Sequence, residues 1–420
     1  MDIDISCMTW LPIICGQLRR LFVPKHTISH LLLLPDDIII NIFSRLDAEC
    51  AFQCLRLCRS LSTILSSPYF LSVHCFQSAP SLLVQCFEWQ PMLDKSSVYG
   101  RDVVLHCIGE SENTVALRVK FKSSYVWPEF DSRPLLVGSY NGLLLFINHS
   151  LFHSAFFIWN PLTQEQVTLI APEPVYNVCG FYFHPPTREY RVLYMRYRSS
   201  DSDFYVLSLG ANLLREIPNC SRVPCTRRPP VILNGALHWT VSENLSNTVC
   251  HTSSSSLCTN LILVFKIESE VFSSIPHPEI EKCSSKRHCH MHLLELEGKL
   301  GLCDVTLPTD FHVWVLQEKH VWVKMHKIST KSVVPKQFHY FDSNLTPALE
   351  ALYIHNDELL LKSHYRRLYS YHLKRKTFRA IDTSCFGWKI LTSTIVHFNS
   401  MASLHTDEII FLDNLELQEL

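Results

Sequence analysis

Apolar residues recur at helical spacing in the stretch from Leu34 to Phe70. Two acidic residues follow Pro35, where a first helical turn favours both a proline and negative charge. Asp47 is placed to cap a second helix, and Pro68 is placed to end a third. The pattern therefore predicts three short helices, of which the first carries the apolar positions Ile38, Ile39, Ile42, Phe43 and Leu46.

The apolar content of these helices is large for their length. Roughly forty residues is at the margin for an independently folded domain, because so short a chain buries a small share of its surface. The excess apolar face then requires a partner, and a helical surface of another protein fits it. The alternative is a helical cap packed on the rest of this chain, and periodicity alone leaves both open.

From about residue 71 to 130 the pattern changes from helical to mixed, and apolar and polar residues alternate in Thr114 to Phe121. Residues 76–129 are interpreted as a connecting segment, and its strands could be the first of the next domain: Ser81 to Phe87, Val103 to Cys107 and Thr114 to Phe121. Residues 130–415 carry short strands separated by turns. Tight hairpin turns are predicted at Asn141-Gly142, Asn234-Gly235 and Glu297-Gly298.

Groups of four strands recur at a period of roughly 50–60 residues, starting near residues 178, 231, 290 and 350. A unit at 135–170 raises the number to about five, and the strands at 81–121 could make six. Such sheets bury their faces by stacking on one another in a ring. The predicted fold is therefore multidomain α+β: three helices at residues 31–75, then an all-β propeller of about five to six blades. A pair of β-sandwiches is the alternative.

Composition and charge exclude several classes of function. The 420 residues are 47% hydrophobic with a formal net charge of −1, which argues against general binding of nucleic acid or membrane surfaces. No apolar run reaches the ~18 residues that span a bilayer. The acidic start is unlike a secretory signal, and residues 1–30 are interpreted as a poorly ordered lead. Seventeen cysteines without a CxxC pair favour reduced thiols in the cytoplasm or nucleus.

One cluster of metal-binding residue types precedes the strand near residue 290. Cys283, His288, Cys289, His290 and His292 are side chains that bind zinc, and the last two would share a strand face. No second Cys/His pair stands at finger spacing, so a polar loop leading into a strand is the favoured interpretation. No coherent catalytic triad or phosphate-binding glycine loop is found. We therefore expect no catalytic, cofactor or metal site.

The stretch Leu34 to Phe70 resembles an F-box over its whole length, without a gap. The matching residues are Leu34-Pro35, Asp37-Ile38-Ile39, Ile42, Arg45-Leu46, Leu57-Cys58-Arg59, Pro68 and Phe70. Leu61 stands where that family often has tryptophan. The resemblance implies binding to the Skp-type adaptor of a cullin–RING ubiquitin ligase.

Segments of the β-rich part resemble the plant F-box-associated β-propeller, a kelch-like domain, in the family's order over residues ~130–385. The segments are VGSYNGLLLF at 137–146, IWNPLT at 158–163, GFYFHPPTREYRVL at 180–193, LNGALHW at 233–239, FKIESEVFSSIPHP at 265–278, VWVL at 313–316 and VWVKMHKI at 321–328. LNGALHW is the most specific of them. This resemblance implies capture of a target by the propeller, with no catalysis on this chain.

Together the two resemblances predict the substrate-recognition subunit of an SCF-type ubiquitin ligase, with an unidentified target protein. The predicted adaptor-facing residues are Leu34, Pro35, Ile38, Ile39, Ile42, Leu46, Leu57 and Pro68. The alternative is an F-box scaffold that binds the adaptor without delivering a substrate.

Overall fold

The computed structural model of this chain describes residues 33–87, 102–109, 114–121, 134–149, 153–171, 174–175, 177–197, 202–209, 214–218, 220, 222–242, 261–280, 291–305, 310–318, 321–330, 349–363, 367–384, 390–404 and 409–411. Four helices come first: α1 (Asp36–Phe43), α2 (Ala48–Cys54), α3 (Arg59–Leu65) and α4 (Pro68–Gln77).

The other regular elements of the described chain are strands. The first eleven are β1 (Ser81–Phe87), β2 (Asp102–Ile108), β3 (Thr114–Lys120), β4 (Leu135–Tyr140), β5 (Leu143–His149), β6 (Ser154–Trp159), β7 (Gln166–Ala171), β8 (Asn177–His184), β9 (Glu189–Tyr197), β10 (Ser202–Ser208) and β11 (Leu214–Ile217). The others are β12 (Val223–Pro224), β13 (Val231–Leu233), β14 (Ala236–Ser242), β15 (Leu261–Lys266), β16 (Val271–Pro276), β17 (Met291–Leu296), β18 (Lys299–Asp304), β19 (Asp310–Leu316), β20 (Trp322–Ser329), β21 (Leu349–His355), β22 (Glu358–Ser363), β23 (Leu368–His372), β24 (Thr377–Ile381), β25 (Ile390–His397) and β26 (Ile409–Phe411).

The helical part has four helices where the pattern predicts three. The predicted cap of α2 is confirmed, since the Asp47 carboxylate accepts the Cys50 N–H at 2.7 Å. Helix α3 ends at Leu65, ahead of Pro68 as predicted, and Pro68 is also the first residue of α4, because its fixed φ suits a first turn. Ser67 caps α4 by accepting the Phe70 N–H at 3.2 Å. Since α4 continues to Gln77, the change of pattern predicted at residue 71 is wrong.

The strands form six blades, and each blade is an antiparallel sheet with four strand positions from its inner to its outer edge. From its first strand outward, blade 1 is β25-β1-β2-β3, blade 2 is β4 to β7, blade 3 is β8 to β11, blade 4 is β12 and β13 followed by β14 to β16, blade 5 is β17 to β20 and blade 6 is β21 to β24. β26 adds to the outer edge of β7 in parallel. The predicted propeller is confirmed with six blades. Blades 2, 3, 5 and 6 begin near the predicted positions, whereas blade 4 begins at Val223, earlier than predicted, and blade 1 begins with β25.

Blade 1 closes the ring with strands from both ends of the described chain. Its first strand, β25, was not predicted, and it pairs with β1 through partners such as Leu83 and Ile395. β25 also contacts the first strands of both neighbouring blades, β4 and β21. The strands at 81–121 therefore belong to the propeller rather than to a separate connection.

Apolar clusters lie between all neighbouring blades, as a ring of stacked sheets requires. Each cluster contains buried residues from both blades, for example Leu83 with Phe157, Leu145 with Val192, Phe204 with Phe265, Ile262 with Leu302, Val313 with Leu361 and Leu360 with Leu82. Each fully buried side chain of this kind contributes about 1.5–3 kcal/mol to folding. The interfaces between blades are thus the main core of the molecule.

The ring has two distinct ends. Because four antiparallel strands bring the chain back to the end at which it started, the first strands of all blades begin at one end, which we call the upper end. Turns between the first and second strands, and between the third and fourth, lie at the opposite, lower end. The predicted hairpin turn Asn141-Gly142 is one of these lower turns, with positive φ angles of 48° and 79°.

Candidate partner-binding face

Helix α1 has one buried and one exposed apolar face. Ile39 and Phe43 are 1% and 7% exposed, and both lie in the core that the helices share. Ile38 and Ile42, one residue earlier in each case, are 44% and 43% exposed. Residues four apart lie above one another on a helix, so Ile38 and Ile42 form a continuous apolar surface.

Other exposed apolar residues come from the segments that flank the helices. They are Leu33 and Leu34 before α1, Leu57 in the turn after α2 and Tyr69 in the first turn of α4, with exposures of 79%, 38%, 54% and 66%. A small helical module rarely exposes so many large apolar side chains unless they bind a partner. We call Leu33, Leu34, Ile38, Ile42, Leu57 and Tyr69 the apolar face.

The structure divides the predicted adaptor-facing residues into three groups. Leu34, Ile38, Ile42 and Leu57 belong to the apolar face, and Pro35 beside them is exposed. Ile39 is buried inside the helical core and Leu46 is half-buried against it, so both support the face from beneath. The side chain of Pro68 lies outside the described residues. Two members of the face, Leu33 and Tyr69, were not predicted, although each directly adjoins a predicted residue.

Beneath the face lies a compact core from all four helices. Its fully buried members are Ile39, Ala51, Leu61, Leu65 and Phe70. Leu61, where the resembling family often has tryptophan, is 0% exposed, so this difference lies in the core and not on the face. The core therefore holds α1 in place while its outer residues stay uncovered.

A buried histidine ties α4 to the end of α1. The His74 Nε2 lies 2.9 Å from the Leu46 carbonyl oxygen, and the Ser78 hydroxyl lies 3.3 Å from Nδ1. Burial lowers the pKa of His74, and the bond to the Leu46 carbonyl opposes that shift. Because a carbonyl oxygen can only accept, Nε2 carries the proton of the neutral ring and donates it to Leu46, so the link holds at neutral pH.

The helices pack on the lower end of the propeller. Met401, which follows β25, is part of the helical core, and Leu162 in the turn between β6 and β7 packs against it. Asn160 fixes these two segments together, because its Nδ2 donates to the carbonyl oxygens of Ser400 at 3.1 Å and Ala402 at 2.6 Å. The apolar face is thus carried by a module that contacts the ring at this end.

The predicted zinc candidates divide between described and undescribed residues. Cys283, His288, Cys289 and His290 lie outside the described residues. His292 is buried in β17, where its Nδ1 accepts the Ala351 N–H at 3.0 Å and so joins blade 5 to blade 6. In the described part of the chain, no group of three histidine, cysteine, aspartate or glutamate side chains could hold a metal ion.

No helix among the described residues is both long and apolar enough to cross a membrane. The nine cysteines recorded for the described ranges are free thiols. Burial raises the pKa of Cys50 to about 12, and the Asp47 carboxylate adds to that shift. A thiol with so high a pKa is a poor nucleophile at neutral pH, and Cys50 therefore packs as a small apolar residue.

Fold and face together define a class: a six-bladed propeller that carries a helical module with an uncovered apolar face. A family described as the F-box associated beta propeller domain matches residues 106–410, and the F-box domain matches residues 31–72. The chain therefore belongs to the F-box-associated β-propeller family and carries an F-box domain. Both resemblances seen in the sequence are confirmed.

The relatives of this chain include F-box proteins of Arabidopsis thaliana. F-box protein At3g07870 is 28% identical over 336 residues, which cover 71% of this chain and 73% of the relative. F-box protein DOR is 24% identical over 375 residues, covering 84% and 89%. Among solved structures, TolB from Acinetobacter baumannii has a TM-score of 0.39 at 8% identity, over 77% of this chain and 67% of that chain.

Proposed function

We propose that this chain is the substrate-recognition subunit of an SCF-type cullin–RING ubiquitin ligase. The F-box helices bind the Skp-type adaptor, and the propeller binds a target protein. The bond-forming chemistry belongs to other subunits of the ligase. By holding the target near the ubiquitin-loaded enzyme, the chain raises the effective concentration of target lysines.

The exposure of Ile38 and Ile42 carries this proposal. Their exposed fractions of 44% and 43% leave apolar surface whose burial stabilises a complex by about 1 kcal/mol each. Pro35 and the other members of the apolar face would extend the contact around them. A helical groove on the adaptor is a suitable partner, since residues four apart on a helix fit such grooves.

The position of the helices supports the second half of the proposal. They contact the lower end of the ring through Leu162 and Met401. Among the described residues, the F-box helices therefore leave the upper end of the ring uncovered. An adaptor bound to the helices and a target bound at the upper end would occupy opposite ends of one ring.

The test replaces Ile38 and Ile42 together with aspartate. Because two carboxylates buried against an apolar groove lose their hydration, we expect at least about 100-fold weaker adaptor binding. Purified full-length chain is measured against the Skp-type adaptor by pull-down and by calorimetry. The propeller is expected to keep its thermal unfolding transition, since neither side chain lies in a core.

The matched control replaces Val323 and Met325 with aspartate. These residues are 40% and 50% exposed on β20, and they lie on the propeller instead of the F-box. Adaptor binding should be unchanged in this variant. Wild-type affinity in the Ile38→Asp, Ile42→Asp variant would contradict the proposed adaptor face.

A further inference from the structure

A cavity of about 200 Å³ lies among blades 4, 5 and 6. Its walls include the loop between β12 and β13, Thr240 of β14, Met291 of β17 and Glu350 of β21. Met291 and Glu350 are the first and second residues of their strands, which start at the upper end. The cavity therefore lies toward the end of the ring opposite the F-box.

The loop that lines the cavity interrupts the first strand of blade 4. Pro224 pairs with Val241 and Val231 pairs with His238, so residues 225–230 stand opposite residues 239–240 of β14. Six residues facing two must leave the plane of the sheet. The loop is anchored at its start, where the Cys225 N–H donates to the Thr240 carbonyl oxygen at 2.9 Å. The sequence thus builds an arginine-bearing projection at the inner edge of this blade.

Arg228 on this loop is held in place by blade 6. Its Nε lies 3.1 Å from the Glu350 Oε1, and its Nη1 donates to the Ala351 carbonyl oxygen at 3.1 Å. Lys362 also contacts Glu350, with its Nζ 3.7 Å from Oε2. Two cations therefore share one carboxylate.

Arg227 lines the same cavity and is exposed. Among the described residues it makes no ion pair and no side-chain hydrogen bond. Among the described residues that line the cavity, the groups with a full charge are thus Arg227, Arg228 and Glu350, so two guanidiniums face one carboxylate. Burial lowers the pKa of Arg228, the charge of Glu350 opposes this shift, and the charge of Arg227 adds to it. An added anion would relieve this excess of positive charge.

We propose that this cavity binds an anionic side chain of the target protein, with Arg227 as its pairing group and Arg228 fixed beside it. The inference rests on the proposed function, because it supplies the contact by which the propeller recognises a target. A water molecule occupies ~30 Å³, so the cavity of about 200 Å³ has room for several water molecules or for one side chain in their place. A carboxylate and a phosphorylated hydroxyl share the oxygen-anion chemistry that a guanidinium binds in a fork.

The experiment measures peptide binding to the full chain by fluorescence anisotropy. Three labelled peptides of one glycine–serine sequence carry a central pair of glutamates, phosphoserines or glutamines. We expect the two anionic peptides to bind and the glutamine peptide not to bind. Arg227→Glu should weaken binding of the anionic peptides at least about tenfold, as expected for losing a charged hydrogen bond and gaining repulsion.

Arg222→Glu is the matched control, because Arg222 is exposed nearby in the same segment and does not line the cavity. Its binding should equal that of the wild type. Whichever of the two anionic peptides binds more tightly shows whether the cavity prefers a carboxylate or a phosphorylated hydroxyl. The inference is overturned if Arg227→Glu binds like the wild type, if the two arginine variants lose affinity equally, or if no anionic peptide binds at about 1 mM. Adaptor pull-down is unaffected by these outcomes, so the proposed function can stand when this inference fails.

Discussion

Glu270 shows how one buried side chain joins two blades. It lies in the turn between β15 and β16 of blade 4, with a φ of 53°. Its carboxylate accepts hydrogen bonds from the Tyr182 hydroxyl at 2.6 Å and from Arg191 Nη1 at 2.7 Å, and it pairs with Arg215. All three partners belong to blade 3. Burial alone would raise the pKa of Glu270, but these hydrogen bonds and charges outweigh it and hold the pKa below its ordinary value.

Replacing Glu270 with glutamine should destabilise the propeller by roughly 3 kcal/mol, because two arginines lose a buried counter-ion. The effect depends on pH. With a lowered folded-state pKa, the stabilisation is fully present above the ordinary pKa of a glutamate and is lost as the pH falls through the folded-state value. Chemical unfolding of both proteins at several pH values measures it. Glu268→Gln, an exposed change in the same turn, should cost almost nothing, and equal losses in the two variants would contradict this role.

The residue scale also shows why the adaptor-facing prediction included a core residue. Ile38 and Ile39 are adjacent in the sequence and both match the F-box pattern. Neighbours on a helix point about 100° apart, so they cannot share one face. Which of the two faces inward is decided by what α3 and α4 place beneath α1, and that information is not local.

Hairpin turns are the elements that the sequence specifies best. Asn141-Gly142, Asn234-Gly235 and Glu297-Gly298 all have positive φ at both residues, which confirms the three predicted turns. Asn356 and Asp357 form a turn with φ of 48° and 62°, and without a glycine it was not predicted. By contrast, β25 was missed because its partner β1 lies some 300 residues earlier in the chain. Local composition does not encode so distant a pairing.

Replacing two turn glycines of similar backbone conformation with alanine should destabilise the protein to different extents. A Cβ on Gly142 would lie 2.4 Å from the Ser400 Cβ and 2.6 Å from its backbone nitrogen, whereas a Cβ on Gly298 would meet nothing within 4 Å. Their φ angles are 79° and 73°, so the backbone strain of alanine is alike. We expect Gly298→Ala to cost about 1 kcal/mol and Gly142→Ala to cost about 1–3 kcal/mol more. Equal midpoints in urea unfolding would show that Ser400 does not pack on this turn.

At the scale of the whole molecule, the segment 397–404 connects three parts. His397 ends the closing strand, and its Nδ1 lies 2.9 Å from the Ser139 hydroxyl of blade 2. The Ser403 hydroxyl and the Leu404 N–H both donate to the carboxylate of Glu165, each at 2.8 Å. Met401 reaches the F-box core. Closure of the ring and placement of the F-box therefore depend on the same eight residues.

Ring closure should weaken in mild acid through His397. Burial lowers the pKa of this histidine to about 4, and its contact with Asn399 opposes the shift. As the pH falls, His397 takes up its proton first in the unfolded chain, because its ordinary pKa is ~6.5. The contribution of His397 to the free energy of unfolding should therefore be constant above that pKa. It should decrease by about 2 kcal/mol as the pH drops toward 4. Unfolding curves of the wild type and His397→Gln between pH 7 and 4 measure this. The His397→Gln variant should be less stable than the wild type at pH 7 but should lose less stability between pH 7 and 4. An equal dependence of stability on pH in the two proteins would contradict this role of His397.

The most direct test of this account follows hydrogen–deuterium exchange in the full chain, alone and with the Skp-type adaptor. The apolar face is uncovered in the chain alone, so the adaptor should slow exchange in residues 34–57. The blades should exchange alike in both states, because their cores are already complete. A chain in which this helical segment exchanges at the same rate with and without the adaptor would contradict the central claim.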